Sequence, residues 1–436
     1  MSDEDGLVVN DLRFSRDREA MILSTSRSMN ILSSRTFKRI CTINRPSDMG
    51  DILSRSSLCC SVDLSRARIQ LWNSSSSPRM IGDEIEINTR GLPILNIMFN
   101  PRRLLVLTAN SLYIFEIVTM KLLEVVERGT MDPHKYSSSL SLLTTTFSHS
   151  NGLCAIVVEK GDVLVIDTYT LFRHQLFTAH TSPISSLEFS LDGQFLATAS
   201  TKGTLVRLFK SDSHRMDLVC ILRRGRSESP ITSILFDDQT QSVTVSGETD
   251  TAHIYAVPKT IPVITPVVGS AYQTFMSIFP KQYKEAVEAV RDYAHVRLRR
   301  TNKTDKFFAC VVEKNAVIVL SLVADSSAFA FGYTMDASGG ECKLRSEHSL
   351  TFVDIAAETG VVAGTPTTTN GEVTGDELSF QKTVQVVLRE NPPPTTLDIL
   401  SPEDVTTKKP KKKKPKKKPP PSPGNVSVKD IFDASD

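Results

Sequence analysis

The residues of this sequence best placed to do chemistry are two adjacent arginines, Arg223 and Arg224, in the run "ILRRG". A guanidinium presents a planar fork of N–H donors that matches the oxygens of a phosphate. Side chains alternate across a strand, so two neighbouring arginines cannot enter one pocket and must serve two. Gly225 behind them allows a close approach to the backbone. On one side "ATASTKGTLVRLF" supplies Thr198, Ser200, Thr204 and Arg207 around a tight turn at Lys202 and Gly203. On the other, "SGETDTAHIY" supplies Ser246, Thr249, Thr251 and His253, of which Ser246, Thr251 and His253 are expected at one end of a sheet. Hydroxyls and imidazole both donate to phosphate. Arginines near strand ends also form ordinary surface ion pairs, so spacing alone leaves the ligand reading and the ion-pair reading open.

Covalent and metal chemistry find little support. The chain has no P-loop, no nucleophile elbow, no HExxH and no CxxC, and Cys59 and Cys60 are adjacent within an apolar run. An enzyme is not expected, nor a metal or a cofactor. The seven cysteines are odd in number and scattered among apolar residues, as in "GLCAIVV" and "FFACVV", which reads as reduced core thiols of an intracellular protein.

The elements that must position the arginines are strands. From Leu12 to Ser349 short runs rich in Val, Ile, Leu and Phe alternate with turns containing Gly, Asn, Asp and Ser. "ISSLEFSLDGQFLATASTKGTLVRLFK" is the clearest unit, and weaker versions begin at Phe14, Asn96, Thr144 and Ile231. Their spacing of roughly 40 to 50 residues is that of a four-stranded blade, and about 300 residues make seven of them. The expectation is an all-β, seven-bladed, WD40-like β-propeller over 12–355 after a flexible N-terminus, 1–11. Strand periodicity alone does not dictate closure, and a pair of β-sandwiches stands as the alternative.

Two segments fall outside this pattern. Residues 258–295 separate a strand ending at Val257 from one beginning at Val296, far more than a hairpin needs. Its first part is apolar, including Tyr272, Phe275, Met276, Ile278 and Phe279; in its second, Tyr283, Ala286, Val287, Val290 and Tyr293 have helical spacing. An element lying in a membrane interface and one packed on the flank of the fold both suit it. Residues 356–436 carry the Thr/Gly/Glu-rich and Lys/Pro-rich composition of a disordered tail. The net charge is +2, yet nine lysines lie between Lys408 and Lys418, so the remainder of the chain is net negative. A solvated run, attraction to anionic lipid, and nuclear import or nucleic-acid contact are the readings of that tail, in that order. The N-terminus lacks a secretory pattern, and prolines interrupt the longest uncharged run, 261–280, against a spanning helix.

Taken in order, these motifs resemble the PROPPINs, the WIPI-type autophagy propellers that bind polyphosphoinositides. "RLLVLTANSLYIFEIVTMKLL" is similar to the third blade of the family, "ATASTKGTLVRLF" to the fifth, "LRRG" to its Phe-Arg-Arg-Gly signature, "TDTAHIY" to the end of the sixth and "GGECKLRSEHSL" to the seventh. The resemblance implies binding of phosphatidylinositol 3-phosphate and the 3,5-bisphosphate at two sites. The first would use Thr198, Ser200, Gly203, Thr204, Arg207 and Arg223, with His180 beside them; the second Arg224, Gly225, Thr251 and His253, with Ser246 nearby. It further implies that the apolar insertion enters the bilayer, so that head-group contacts and insertion act together. The implied protein is a monomeric, cytoplasmic effector that docks on autophagosome precursors and endosomal membranes and recruits a lipid-transfer protein and, in some members, ubiquitin-like conjugation machinery, with no nucleic acid partner. A scaffold propeller with decayed lipid sites is the alternative. Leu222 stands where the family has Phe, Gly247 where Ser is usual, and the lysine-rich tail is not in the family pattern.

Overall fold

The alternation of apolar and polar residues in the short runs resolves into seven sheets of four or more strands, each built on an antiparallel meander. The computed structural model describes residues 7–350, apart from 76, 83, 88–91, 130–141, 213–214, 238, 259–288 and 325, and the short strand Thr396–Leu397. The sheets span residues 9–43, 49–87, 94–127, 143–178, 184–223, 231–297 and 306–349 and are blades 1 to 7 of a β-propeller. Blade 5 contains Ile184–Phe189, Phe195–Ser200, Leu205–Asp212 and Arg215–Arg223; blade 6 contains Ile231–Phe236, Ser242–Gly247, Thr251–Ala256 and Ala294–Arg297.

Boundaries differ slightly from those expected. The first strand, Val9–Phe14, starts within the stretch expected to be flexible, because Val9 and Leu12 are buried against blade 7. The outer strand of blade 6 begins at Ala294, two residues before Val296. Among the described residues there is no helix. The expected helix mostly lies outside them, and its described end, 289–293, is not helical, with Val290 in a β-bridge. Within the expected disordered tail, Thr396–Leu397 adds in parallel to Ile85–Ile87 at the edge of blade 2, where an outer strand leaves its main-chain groups unpaired. The rest of 351–436 lies outside the described residues.

The sheets bury both faces, and the seams are filled by apolar clusters. Ala199, Val206 and Leu222 of blade 5 meet Ile234, Val243 and Val245 of blade 6. The ring closes in the same way: Leu12, Met21 and Leu23 of blade 1 pack against Cys310, Ile318 and Leu320 of blade 7, and among the described residues no strand is exchanged between the two.

The central channel is braced by charge. Arg16 and Arg18, in the turn after the first strand, reach Glu188 on the innermost strand of blade 5 at 2.5 and 2.7 Å. Arg16 also donates to the Thr145 carbonyl of blade 4. Nearby, burial pushes the Asp51 carboxyl up to about 6, against the opposing charge of Arg13. No disulfide joins the cysteines, and burial raises the thiols of Cys41, Cys59, Cys60, Cys154, Cys220 and Cys342.

Candidate functional site

Strand register decides which side chains can share a pocket. In blade 5, Thr198 is opposite Arg207 and Leu205 is opposite Arg223. Alternation puts Thr198, Ser200, Arg207 and Arg223 on one face, because Ala199, Val206 and Leu222 occupy the other, against blade 6. The first face is turned to blade 4: Arg207 donates to the Ala179 carbonyl, and His180 Nε2 lies 3.0 Å from Thr198 Oγ1. The 179–180 segment reaches this position because Gly161 has no side chain; a Cβ there would fall 1.7 Å from the His180 oxygen. Burial, then the charge of Arg207, lowers the His180 pKa to about 4, so the ring is neutral at neutral pH. Thr198 is fully buried under His180 and supports the cluster from below, whereas Thr204, Arg207 and Arg223 are partly exposed.

Gly203 has φ of +59°, and a Cβ would lie 1.8 Å from the Ser229 carbonyl oxygen, so the turn accepts no other residue without moving. Gly225 is different, since a Cβ there meets nothing within 4 Å. Nothing within the fold demands a glycine at 225 on steric grounds.

Arg224 lies one residue beyond the strand, which ends at Arg223. Its side chain is nearly buried at 9% exposure. Nε donates to Gly203 O at 2.8 Å, and Nη2 to Ser227 O at 2.8 Å and Ser229 O at 3.0 Å. Burial lowers its pKa, while the nearby Tyr255 ring on blade 6 opposes that shift. The two arginines thus diverge, Arg223 on the blade 4 side and Arg224 on the blade 6 side, but Arg224 is also a clamp that gathers three turn carbonyls.

In blade 6, Val245 is opposite His253, so His253 and Thr251 share the face turned to blade 5 with Val245 and Tyr255. Ser246 does not join them. It points the other way by alternation, is buried, and donates to the Phe307 carbonyl of blade 7 at 2.6 Å. The expectation that placed it beside Thr251 and His253 is corrected by the same parity that separates the arginines. Gly247 could not carry a hydroxyl side chain in place, because a Cβ would sit 2.4 Å from the Pro230 oxygen; its own carbonyl accepts from Arg300 at 2.6 Å.

Two residues absent from the sequence reading complete the picture. Tyr255 donates its hydroxyl to the Arg223 carbonyl at 2.9 Å, and Asp292 Oδ2 lies 3.0 Å from His253 Nδ1. Neither has a local signature, since each acts on a residue more than thirty positions away. The expected membrane-facing residues Tyr272, Phe275, Met276, Ile278 and Phe279 lie outside the described residues. The return of that insertion is described: Val290 pairs in parallel with Leu222, donating to Ile221 O and accepting from Arg223 N–H at 2.8 Å each. Among the described residues no group of three or more His, Cys, Asp or Glu side chains is arranged to hold a metal.

Comparison with known proteins bears on the fold and the family. WD repeat domain phosphoinositide-interacting protein 1 of Xenopus laevis is 30% identical over 269 residues, 59% of this chain and 59% of that protein, so the chain spans about three-fifths of that relative's length. Autophagy-related protein 18 of Dictyostelium discoideum is 30% identical over 275 residues, 59% of this chain and 70% of that protein. Among solved structures, Kluyveromyces lactis Hsv2 with complete loop 6CD superposes with a TM-score of 0.58 at 16% identity, covering 79% of this chain and 100% of that one. A complex of KlAtg21 with the coiled coil of AgAtg16 gives 0.58 at 18% identity, covering 78% and 99%. At such identities the likeness is one of fold. The family model described as PROPPIN matches residues 53–351, more than half of the sequence and all of blades 3 to 7, and the chain belongs to the PROPPIN family.

Proposed function

We propose that this chain is a phosphoinositide effector, a binding protein rather than an enzyme, that recognises phosphatidylinositol 3-phosphate and the 3,5-bisphosphate on autophagosome-precursor and endosomal membranes from the cytoplasm. The observation that carries the reading is the divergence of Arg223 and Arg224 around the outer strand of blade 5. Arg207 and Arg223 with Ser200 on one side, and Thr251, His253 and Arg224 on the other, each combine cationic and hydroxyl donors suited to a phosphate. The names of the relatives, phosphoinositide-interacting and autophagy-related, support the same ligand class and process.

In this reading the apolar residues Tyr272, Phe275, Met276, Ile278 and Phe279 enter the bilayer beside the two head-group contacts, so weak individual sites give stable residence through effective concentration. The lysines of 408–418 add an attraction to anionic lipid that weakens with salt. Once docked, the propeller recruits autophagy machinery, a lipid-transfer protein or conjugation components. KlAtg21, a propeller of the same fold, has been solved in complex with the coiled coil of AgAtg16.

Vesicle flotation tests the reading. The full chain should float with vesicles containing either 3-phosphoinositide and not with phosphatidylcholine alone, and Arg223→Thr should lose flotation. Replacing Phe275, Ile278 and Phe279 together by Ser should also release it from vesicles. Equal flotation of wild type and Arg223→Thr, or of neither, would reject lipid recognition. It would leave the scaffold reading, which the engagement of Arg224 by three carbonyls favours.

A further inference from the structure

Between the insertion and the second arginine lies a short strap, 289–293, fixed to both blades. Its first anchor is the bridge from Val290 to Leu222, and its second is the Tyr293 N–H, which donates to Ile254 O at 3.0 Å. The Tyr293 carbonyl in turn accepts from Gly340 N–H of blade 7 at 2.8 Å, and Gly339 allows that approach, since a Cβ there would lie 2.1 Å from the Tyr293 oxygen. Asp292 sits between these anchors with its carboxylate on His253 Nδ1 at 3.0 Å; His295 Nδ1 is farther, at 3.9 Å. The His253 side chain is 17% exposed and that of Asp292 26%, so the pair is partly shielded from water.

We propose that Asp292 is a positioning residue for the second head-group cluster, holding the His253 ring by Nδ1 so that Nε2 is the nitrogen offered to a phosphate. The inference rests on the ligand reading proposed above. A carboxylate only accepts, so its contact fixes the proton on Nδ1 and with it the tautomer and the rotation of the ring. Without it the imidazole can turn about its bonds and exchange tautomers, and a phosphate must order it at each encounter. Because Asp292 belongs to the strap and not to a blade strand, the end of the insertion and the head-group residue are one mechanical piece.

The test is a double-mutant cycle on the full chain, with soluble inositol 1,3-bisphosphate as the probe, so that membrane insertion does not enter. Asp292→Ala should weaken binding about tenfold, the scale of one charge-assisted hydrogen bond. His253→Ala should weaken it as much, and the double variant should be no weaker than His253→Ala alone, because Asp292 acts through the ring. Asp292→Asn, which keeps an acceptor on the strap, should restore part of the loss. Additive losses, or binding by Asp292→Ala as tight as wild type or tighter, would overturn the proposal. The nitrogen spectrum of histidine-labelled, ligand-free protein provides the second arm: wild type should show His253 protonated at Nδ1, and Asp292→Ala should not. If wild type binds no probe, the ligand reading fails by itself. The spectrum still decides Asp292, since an unchanged Nδ1–H in Asp292→Ala rejects the positioning role.

Discussion

Replacing Arg224 by Ala should unfold the propeller more readily, whereas replacing Arg223 should not. Three carbonyls, at Gly203, Ser227 and Ser229, accept from the Arg224 guanidinium at 2.8, 2.8 and 3.0 Å, and the side chain is 9% exposed. Truncation leaves these acceptors to whatever water can enter. At about 1 kcal/mol per bond, with partial rehydration, the loss is about 2–4 kcal/mol. For a domain of this size that corresponds to a drop of roughly 3–6 °C in the unfolding midpoint. Differential scanning calorimetry of both single variants at one scan rate reads it directly, with head-group binding measured on the same samples. Arg224→Lys should recover little of the stability, because a point charge cannot reach three carbonyls as a planar fork does. Equal midpoints for Arg224→Ala and wild type would refute the clamp and leave Arg224 as a ligand group alone. The distinction matters for any variant in which both arginines are changed, since lost binding would then mix lost contacts with a loosened turn.

The two glycines should separate as cleanly. Gly203→Ala meets the Ser229 carbonyl and a left-handed backbone, so it should lower the midpoint and binding together, while Gly225→Ala, with open space around its Cβ, should leave the midpoint unchanged in calorimetry, and any loss of binding it shows then reports ligand approach. Glu188→Gln should cost about 3–5 kcal/mol in chemical denaturation, because it leaves the Arg16 and Arg18 guanidinia buried without their counter-charge. The pH dependence follows from His180. Its pKa is lowered to about 4 in the fold, so the unfolded chain binds the proton first; the contribution of the neutral ring is complete above about 6.5 and is lost as pH falls towards 4, by roughly 3 kcal/mol in all. Asp51, raised to about 6, works in the opposite sense, gaining stability below that pH. The comparison to make is therefore wild type against His180→Gln from pH 7 to 4.5, and parallel curves would contradict the assignment.

Much of this architecture was legible because strand periodicity is local. The unit 184–210 shows its turn at Asp192 and Gly193 and its small-residue strand Phe195–Ser200 in order, and blade 5 follows that plan. The divergence of Arg223 and Arg224 was also legible, from parity, although the strand ends at Arg223 and the second arginine diverges through its hold on the 203 turn. Ser246 was misplaced because the hydroxyl was matched to a composition without counting its register to His253. Asp292 and Tyr255 were invisible for a different reason: their partners, His253 and Arg223, are fixed only when blades 5 and 6 meet. The spacing of Val290 and Tyr293 suggested a helix, but an open strand edge beside Leu222 gives Val290 main-chain partners that make it extended.

The strap and the rim have a consequence for how the ring bears load. Val290 joins the outer edge of blade 5, and Gly340–Glu341 of blade 7 pairs in parallel with Ala294–His295 of blade 6. Among the described residues these are the strand-type pairings that cross from one blade to the next near the candidate sites. A pull transmitted through the insertion would therefore be shared by peptide hydrogen bonds loaded in shear across three sectors. The junction of blades 7 and 1, held among the described residues by side-chain packing, would part first under tension.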